Sequence, residues 1–139
     1  MLCTIMGSGS HTFKAALEGP EFHWRHVNDE NALDLARQET LLYTTYRAPE
    51  RIAVNWKNRH RLTDKLWKES WDKYAELLTL KPVIFECDGP DEQHGFRFPK
   101  RENVGKDPYR LHKALDENDL DYFYSKIPKY LIDYAYDRR

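Results

Sequence analysis

Apolar positions in the middle of the chain recur at the three- and four-residue spacing of an amphipathic helix. Trp67, Trp71, Tyr74 and Leu78 follow Thr63, which suits the N-cap of such a helix. An earlier apolar face at the same spacing comprises Ala32, Leu35, Ala36, Leu42, Tyr43 and Tyr46. Pro49 suits the first turn of another helix. With shorter candidates at residues 11–18, 107–115 and beyond 118, the pattern predicts about five to six helices.

Three short segments predict β-strands instead, at residues 2–6, 22–27 and 83–87. The first is a short apolar run, the second alternates apolar and polar residues, and the third is rich in β-forming residues. The polar segment 88–106 is punctuated by glycine and proline and predicts a long loop. No linker divides the chain. We therefore expect one globular domain, residues 1–139, that is helix-rich and of α/β or α+β class, with a small sheet of about three short strands.

Composition narrows the classes of protein that this pattern allows. The net charge of −1 disfavours a duplex-DNA binder, and the apolar runs are too short to span a membrane, so no membrane partner is expected. The start of the chain lacks the basic residues and the long apolar core of a signal peptide. Cys3 and Cys87 lie in strand-like runs and predict buried free thiols in a reducing, cytoplasmic compartment.

A Gly/Ser-rich segment follows the first predicted strand and is the first candidate site. Its members are Gly7, Ser8, Gly9, Ser10, His11 and Thr12, with Lys14 two positions further on. The glycines allow a tight turn with no side chain in the path of an anion, while the hydroxyl groups and Lys14 supply hydrogen-bond donors. A plain flexible turn near the chain end, or a remnant added to the natural sequence, is the alternative interpretation.

The spacing in this segment departs from the well-defined phosphate motifs. It lacks the third glycine of the dinucleotide-binding turn and the Gly-Lys-Ser/Thr of a P-loop. Residues 7–12 resemble the Gly-rich turn of some nucleotide-sugar glycosyltransferases. That likeness covers six residues of a chain too short for a two-lobed enzyme, so we do not assign the family.

Acidic residues at the end of the third predicted strand form the second candidate site. Glu86 and Asp88 are placed where open α/β sheets carry ligand-binding or catalytic groups, and His94 follows in the predicted loop. In an enzyme acting on a nucleotide or phosphorylated substrate, the carboxylates would hold Mg²⁺ and His94 would act as a general base. A solvated acidic loop is the alternative interpretation.

Histidines and basic residues offer two further hypotheses. His23 and His26 are three residues apart on a predicted strand and would face opposite sides of it, so we predict no metal site there. The sequence does not indicate which cofactor, if any, the protein binds.

A basic surface from Arg51 to Lys68, interleaved with tryptophans, would suit single-stranded nucleic acid. Its principal members would be Arg51, Lys57, Arg59 and Arg61. The alternative, that these are the solvated faces of two helices, is favoured over nucleic-acid binding.

Tyrosines accumulate in the last third of the chain, and tyrosine is favoured at protein interfaces. We therefore expect a non-catalytic binding protein that engages a protein partner or a nucleotide-like anionic ligand, with self-association as one form of that partnership. The alternatives are an enzyme that uses the Gly7–Thr12 segment with Glu86, Asp88 and His94, and a single-stranded nucleic-acid binder.

Overall fold

Four short parallel strands form the central sheet of this protein. The computed structural model describes residues 1–5, 13–14, 17, 23–58, 64–87, 89–98, 117–128 and 131. Within them the sheet has the spatial order β2-β1-β3-β4. Its members are β1 (Leu2–Thr4), β2 (Trp24–His26), β3 (Tyr43–Tyr46) and β4 (Val83–Glu86). An antiparallel hairpin follows, made of β5 (Glu92–Gln93) and β6 (Phe96–Arg97).

Helices fill the connections between the parallel strands, because a parallel pair needs a crossover rather than a tight turn. Four helices have defined bounds in the described residues: α1 (Ala32–Gln38), α2 (Pro49–Asn58), α3 (Asp64–Thr79) and α4 (Glu117–Lys126). Positions 13, 14 and 17 are also helical. In the described part of the chain, no helix combines the length and apolar character needed to cross a membrane.

Both faces of the sheet are covered, as is usual for parallel sheets. All residues of β1 and β3 are buried. On one face lies the first core, which joins Cys3, Ile5, Tyr46 and Ile84 to the apolar sides of the four helices. On the other face lies the second core, made of Leu2, Phe13, Leu17, Tyr43, Phe85 and Phe98.

The prediction of a helix-rich domain with five to six helices and a small three-stranded sheet was wrong. The three expected strands are present, but a fourth strand, β3, occupies residues that we assigned to a helix face. That helix, α1, ends at Gln38, and Tyr43-Thr44-Thr45-Tyr46 forms a strand because threonine and tyrosine favour the extended, buried surface of a sheet. The predicted loop 88–106 contains β5 and β6. The helices predicted at residues 107–115 and after 128 lie largely outside the described residues.

The crossovers run in two opposite directions along the sheet: the first leads from β1 outward to β2, and the second leads from β2 back past β1 to β3. The connection from β1 to β2 passes through Phe13 and Leu17, which pack in the second core. The connection from β2 to β3 passes through α1, whose Ala32 and Ala36 pack in the first core. Parallel crossovers are right-handed, so connections that run in opposite directions along a sheet lie on opposite faces. The carboxyl ends of β1 and β3 therefore form a topological switch point of the sheet.

The outer edge of β2 is capped by side chains close to it in sequence. The Arg25 guanidinium donates to the Trp24 carbonyl oxygen at 2.8 Å. The Asp29 carboxylate accepts the His26 N–H at 2.9 Å, and the Asp29 N–H donates to the His26 carbonyl oxygen at 3.0 Å. Since an edge strand otherwise presents such groups to other chains, these bonds reduce the capacity of β2 to accept another strand.

Candidate functional site

The candidate site lies where the parallel strands end, a region that we call the carboxyl edge. Here β1 leads into Ile5, β3 into Arg47 and β4 into Cys87. The parallel register aligns Tyr46 with Glu86, and the Cys87 N–H donates to the Tyr46 carbonyl oxygen at 2.8 Å. Arg47 and the acidic end of β4 are therefore on neighbouring strands at the same edge.

Arg47 is a candidate binding residue that the sequence reasoning missed. It follows β3 directly, at the switch point, and its side chain is half-buried. The helix α2 starts two residues later, and the Ala48 carbonyl oxygen accepts the Arg51 and Ile52 N–H groups at 3.0 and 3.1 Å. A guanidinium offers several donors in a fixed fork that matches a phosphate or carboxylate. Recognition of β3 as a strand would have placed Arg47 at its end.

Glu86 is held in place through its backbone. Its N–H donates to the Gln93 Oε1 at 2.7 Å, and its carbonyl oxygen accepts from the Gln93 Nε2 at 2.9 Å. The Gly89 N–H donates to the same carbonyl oxygen at 3.0 Å. The predicted position of Glu86 at the end of a strand is thus observed, whereas Asp88 lies outside the described residues.

His94 has a structural contact of its own. Its Nε2 is 2.8 Å from the Ile84 carbonyl oxygen, and its ring lies edge-on to Phe85, with centroids 5.5 Å apart. Since a carbonyl oxygen only accepts, Nε2 carries the proton in this contact. The nitrogen next to β4 is therefore a donor rather than a base, and the catalytic role of His94 stays a prediction.

The Gly7–Thr12 segment lies outside the described residues, between Ile5 and Phe13. Lys14 is described, and its ammonium group lies 4.6 Å from the centre of the Trp24 ring. The Trp24 Nε1 in turn donates to the Thr4 Oγ1 at 3.2 Å. In this structure the charge of Lys14 is therefore next to an aromatic ring on β2, beside the last residue of β1.

The basic surface proposed for nucleic acid is described only in part. Arg51 is half-buried on α2, Lys57 lies near the end of the same helix, and Arg59 and Arg61 lie outside the described residues. At its far end, the Lys68 ammonium group is 5.1 Å from the centre of the Trp67 ring. These observations leave the nucleic-acid hypothesis as a prediction.

The described residues around β1 include a buried thiol, Cys3. Among the residues that the structure describes, no three His, Cys, Asp or Glu side chains come together to hold a metal ion. Burial, followed by the negative charge of Asp29, raises the pKa of the Cys3 thiol to about 12. The thiol is therefore protonated at neutral pH and is a poor nucleophile.

These features define an α/β domain whose parallel sheet winds in both directions from its first strand, with a candidate ligand site at the carboxyl edge. No protein-family model, no curated protein and no solved structure matches this chain.

Proposed function

We propose that this domain binds a nucleotide-like anionic ligand at the carboxyl edge and does not catalyse a reaction on it. The observation that carries the proposal is the switch point between β1 and β3. In open parallel sheets, a crevice forms between two neighbouring strands whose following connections lie on opposite faces of the sheet. Ligands bind in that crevice. The Gly7–Thr12 segment continues from β1, and Arg47 continues from β3.

One property of the residues supports the binding of an anion. Arg47 supplies a permanent positive charge, which suits phosphate recognition and does not transfer protons at neutral pH. Cys3 and Cys87 are not joined by a disulfide, which supports a reducing location such as the cytoplasm.

Calorimetric titration of the whole chain with ADP tests this proposal. We expect saturable binding by the wild-type protein. The Arg47→Gln variant should bind roughly ten- to a hundredfold more weakly, because a charge-assisted hydrogen bond contributes roughly 1.5–3 kcal/mol. Lys73→Gln is the matched control, since it removes the same charge from an exposed position on α3 and should leave the dissociation constant unchanged.

A wild-type protein that binds neither ADP nor inorganic pyrophosphate at about 1 mM would overturn the proposed function, because even weak specific sites are occupied at that concentration. Equal affinity of wild type and Arg47→Gln for ADP would show that Arg47 does not contact the ligand.

A further inference from the structure

In the described part of the chain, β4 is the last strand of the parallel sheet, and its outer side is an edge. The Val83 and Cys87 N–H groups donate inward to β3. Because inward and outward positions alternate along a parallel strand, the backbone groups of Ile84 and Glu86 face outward. These are the groups through which an edge strand accepts a further strand.

Two side chains of the β5–β6 hairpin occupy these outward groups. The Gln93 Oε1 accepts the Glu86 N–H at 2.7 Å, and the Gln93 Nε2 donates to the Glu86 carbonyl oxygen at 2.9 Å. One amide thus reproduces the pair of bonds that a residue of an added antiparallel strand would make. The His94 Nε2 donates to the Ile84 carbonyl oxygen at 2.8 Å. Three of the hydrogen bonds that a further strand needs are therefore already made within the chain.

The hairpin has contacts of its own that keep it beside β4. Gln93 lies opposite Phe96 in the β5–β6 ladder. The ring centroids of Phe96 and Phe98 lie 5.8 and 4.9 Å from that of Phe85. The Phe98 N–H donates to the Asp91 carbonyl oxygen at 2.6 Å and joins the two ends of the hairpin. Aromatic packing therefore places the two side chains at the edge, so their bonds to β4 are not needed to hold the hairpin there.

The covered edge has the geometry to pair with the same edge of a second copy of this chain. About a two-fold axis at Phe85, two antiparallel β4 strands would place Ile84 of each copy opposite Glu86 of the other. The two residues would exchange N–H···O bonds in both directions and so satisfy every outward group of the strand. The two Glu86 carboxylates would not lie directly opposite each other, which avoids a repulsive cross-strand pair.

We propose that Gln93 and His94 form an autoinhibitory contact, which blocks the β4 edge against pairing with β4 of a second copy of the chain. This role is independent of ligand binding at the carboxyl edge. Exposed edge strands are templates for association, and proteins protect them by covering their free backbone groups. Since the covering groups belong to a separate hairpin, they can be removed without changing the sequence of β4.

The double variant Gln93→Met/His94→Asn tests this role. Methionine keeps the length of the glutamine side chain without its hydrogen bonds. Asparagine tolerates the positive φ of 51° at position 94, and its shorter side chain does not reach Ile84. Sedimentation equilibrium should give a self-association constant at least about a hundredfold above that of wild type, because pairing no longer breaks three hydrogen bonds in each copy. Glu92→Gln, an exposed neighbour on β5, is the control and should behave as wild type.

Hydrogen exchange of single amides locates the association. In the double variant, the Glu86 N–H should exchange faster than in wild type at low protein concentration and slow down as the concentration rises. The Cys87 N–H, which bonds β3, should stay protected and so verifies that the variant is folded. If that protection is lost, the single variant Gln93→Met, which leaves the turn unchanged, is judged in the same way. Unchanged self-association, or Glu86 exchange that does not depend on concentration, would overturn the proposal.

Discussion

Cys3 and Cys87 show how the position of a residue in the sheet determines its chemistry. Cys3 lies on the central strand β1 and is fully buried, whereas Cys87 follows the edge strand β4 and is half-buried. Burial, and then the charge of Asp29, raises the pKa of Cys3 to about 12 from its usual 9.0. Because the folded protein holds this proton more tightly, the contribution of Cys3 to stability is present below pH 9.0 and is lost as the pH rises towards 12.

We therefore predict that a thiol-specific reagent modifies Cys87 and not Cys3 in the native protein at mildly alkaline pH. Only the thiolate reacts, and Cys3 is both protonated and inaccessible. Counting modified thiols before and after denaturation measures this, and we expect the second thiol to appear only on unfolding. In the Cys87→Ser variant no native thiol should react. Modification of Cys3 at the rate of Cys87 would contradict the burial of β1.

Among the elements, α4 packs on the domain mainly through Phe123. Phe123 is fully buried, and its ring centre lies 4.7 Å from that of Trp67 and 4.5 Å from that of Trp71. The Trp71 Nε1 donates to the Phe123 carbonyl oxygen at 2.9 Å. Near the same contact, the Tyr122 hydroxyl donates to Asp72 at 2.5 Å. Ring packing and one buried hydrogen bond therefore join α4 to α3.

Replacing Phe123 by alanine should lower the free energy of unfolding by about 3–5 kcal/mol, the range for a large aromatic side chain removed from a core. Denaturant unfolding followed by tryptophan fluorescence measures the loss, because Trp67 and Trp71 line the resulting cavity. On the same helix, Asp121→Ala changes an exposed residue and should stay within about 0.5 kcal/mol of wild type. A comparable loss in both variants would show that the loss does not come from the packing of Phe123.

The elements differ in how far their sequences reveal them. The spacing of Trp67, Trp71 and Tyr74 predicts α3, because three turns of helix repeat the same apolar face. In β3, both faces are buried, so the period-two alternation that marks a half-exposed strand is absent. The β5–β6 turn places His94 and Gly95 at positive φ, 51° and 82°. The usual Asn-Gly signal for such a turn is missing, and the hairpin was predicted as a loop.

For the whole molecule, the net charge of −1 means that any attraction for an anion is local rather than a property of the overall field. Arg47 is the described positive charge that follows β3 at the switch point. Its half-buried position shields it in part from salt, so screening should weaken binding without abolishing it.

We predict that ADP binding weakens roughly three- to tenfold as salt rises from about 0.05 M to about 0.5 M, through screening of the contact with Arg47. The dissociation constant measured across this range should vary less in Arg47→Gln than in wild type, whereas Lys73→Gln should keep the wild-type slope. Identical slopes in all three proteins would place the ligand away from Arg47.

The capped sheet edges also restrict how a partner or a second copy of the chain would associate. Arg25 and Asp29 cover backbone groups of β2, and Gln93 and His94 cover those of β4. The expected protein partner or self-association remains a prediction, and these bonds favour contact through side-chain surfaces over addition of a strand.

Local patterns in the sequence are enough to predict the long helix α3, the three strands with apolar or alternating runs, and a Gly/Ser-rich segment after the first of them. The folded chain alone reveals that β3 is a strand, that β1 and β3 end side by side, and that Gln93 bonds Glu86. The reason is that strand order and crossover handedness depend on contacts between residues distant in the chain, which local periodicity does not encode.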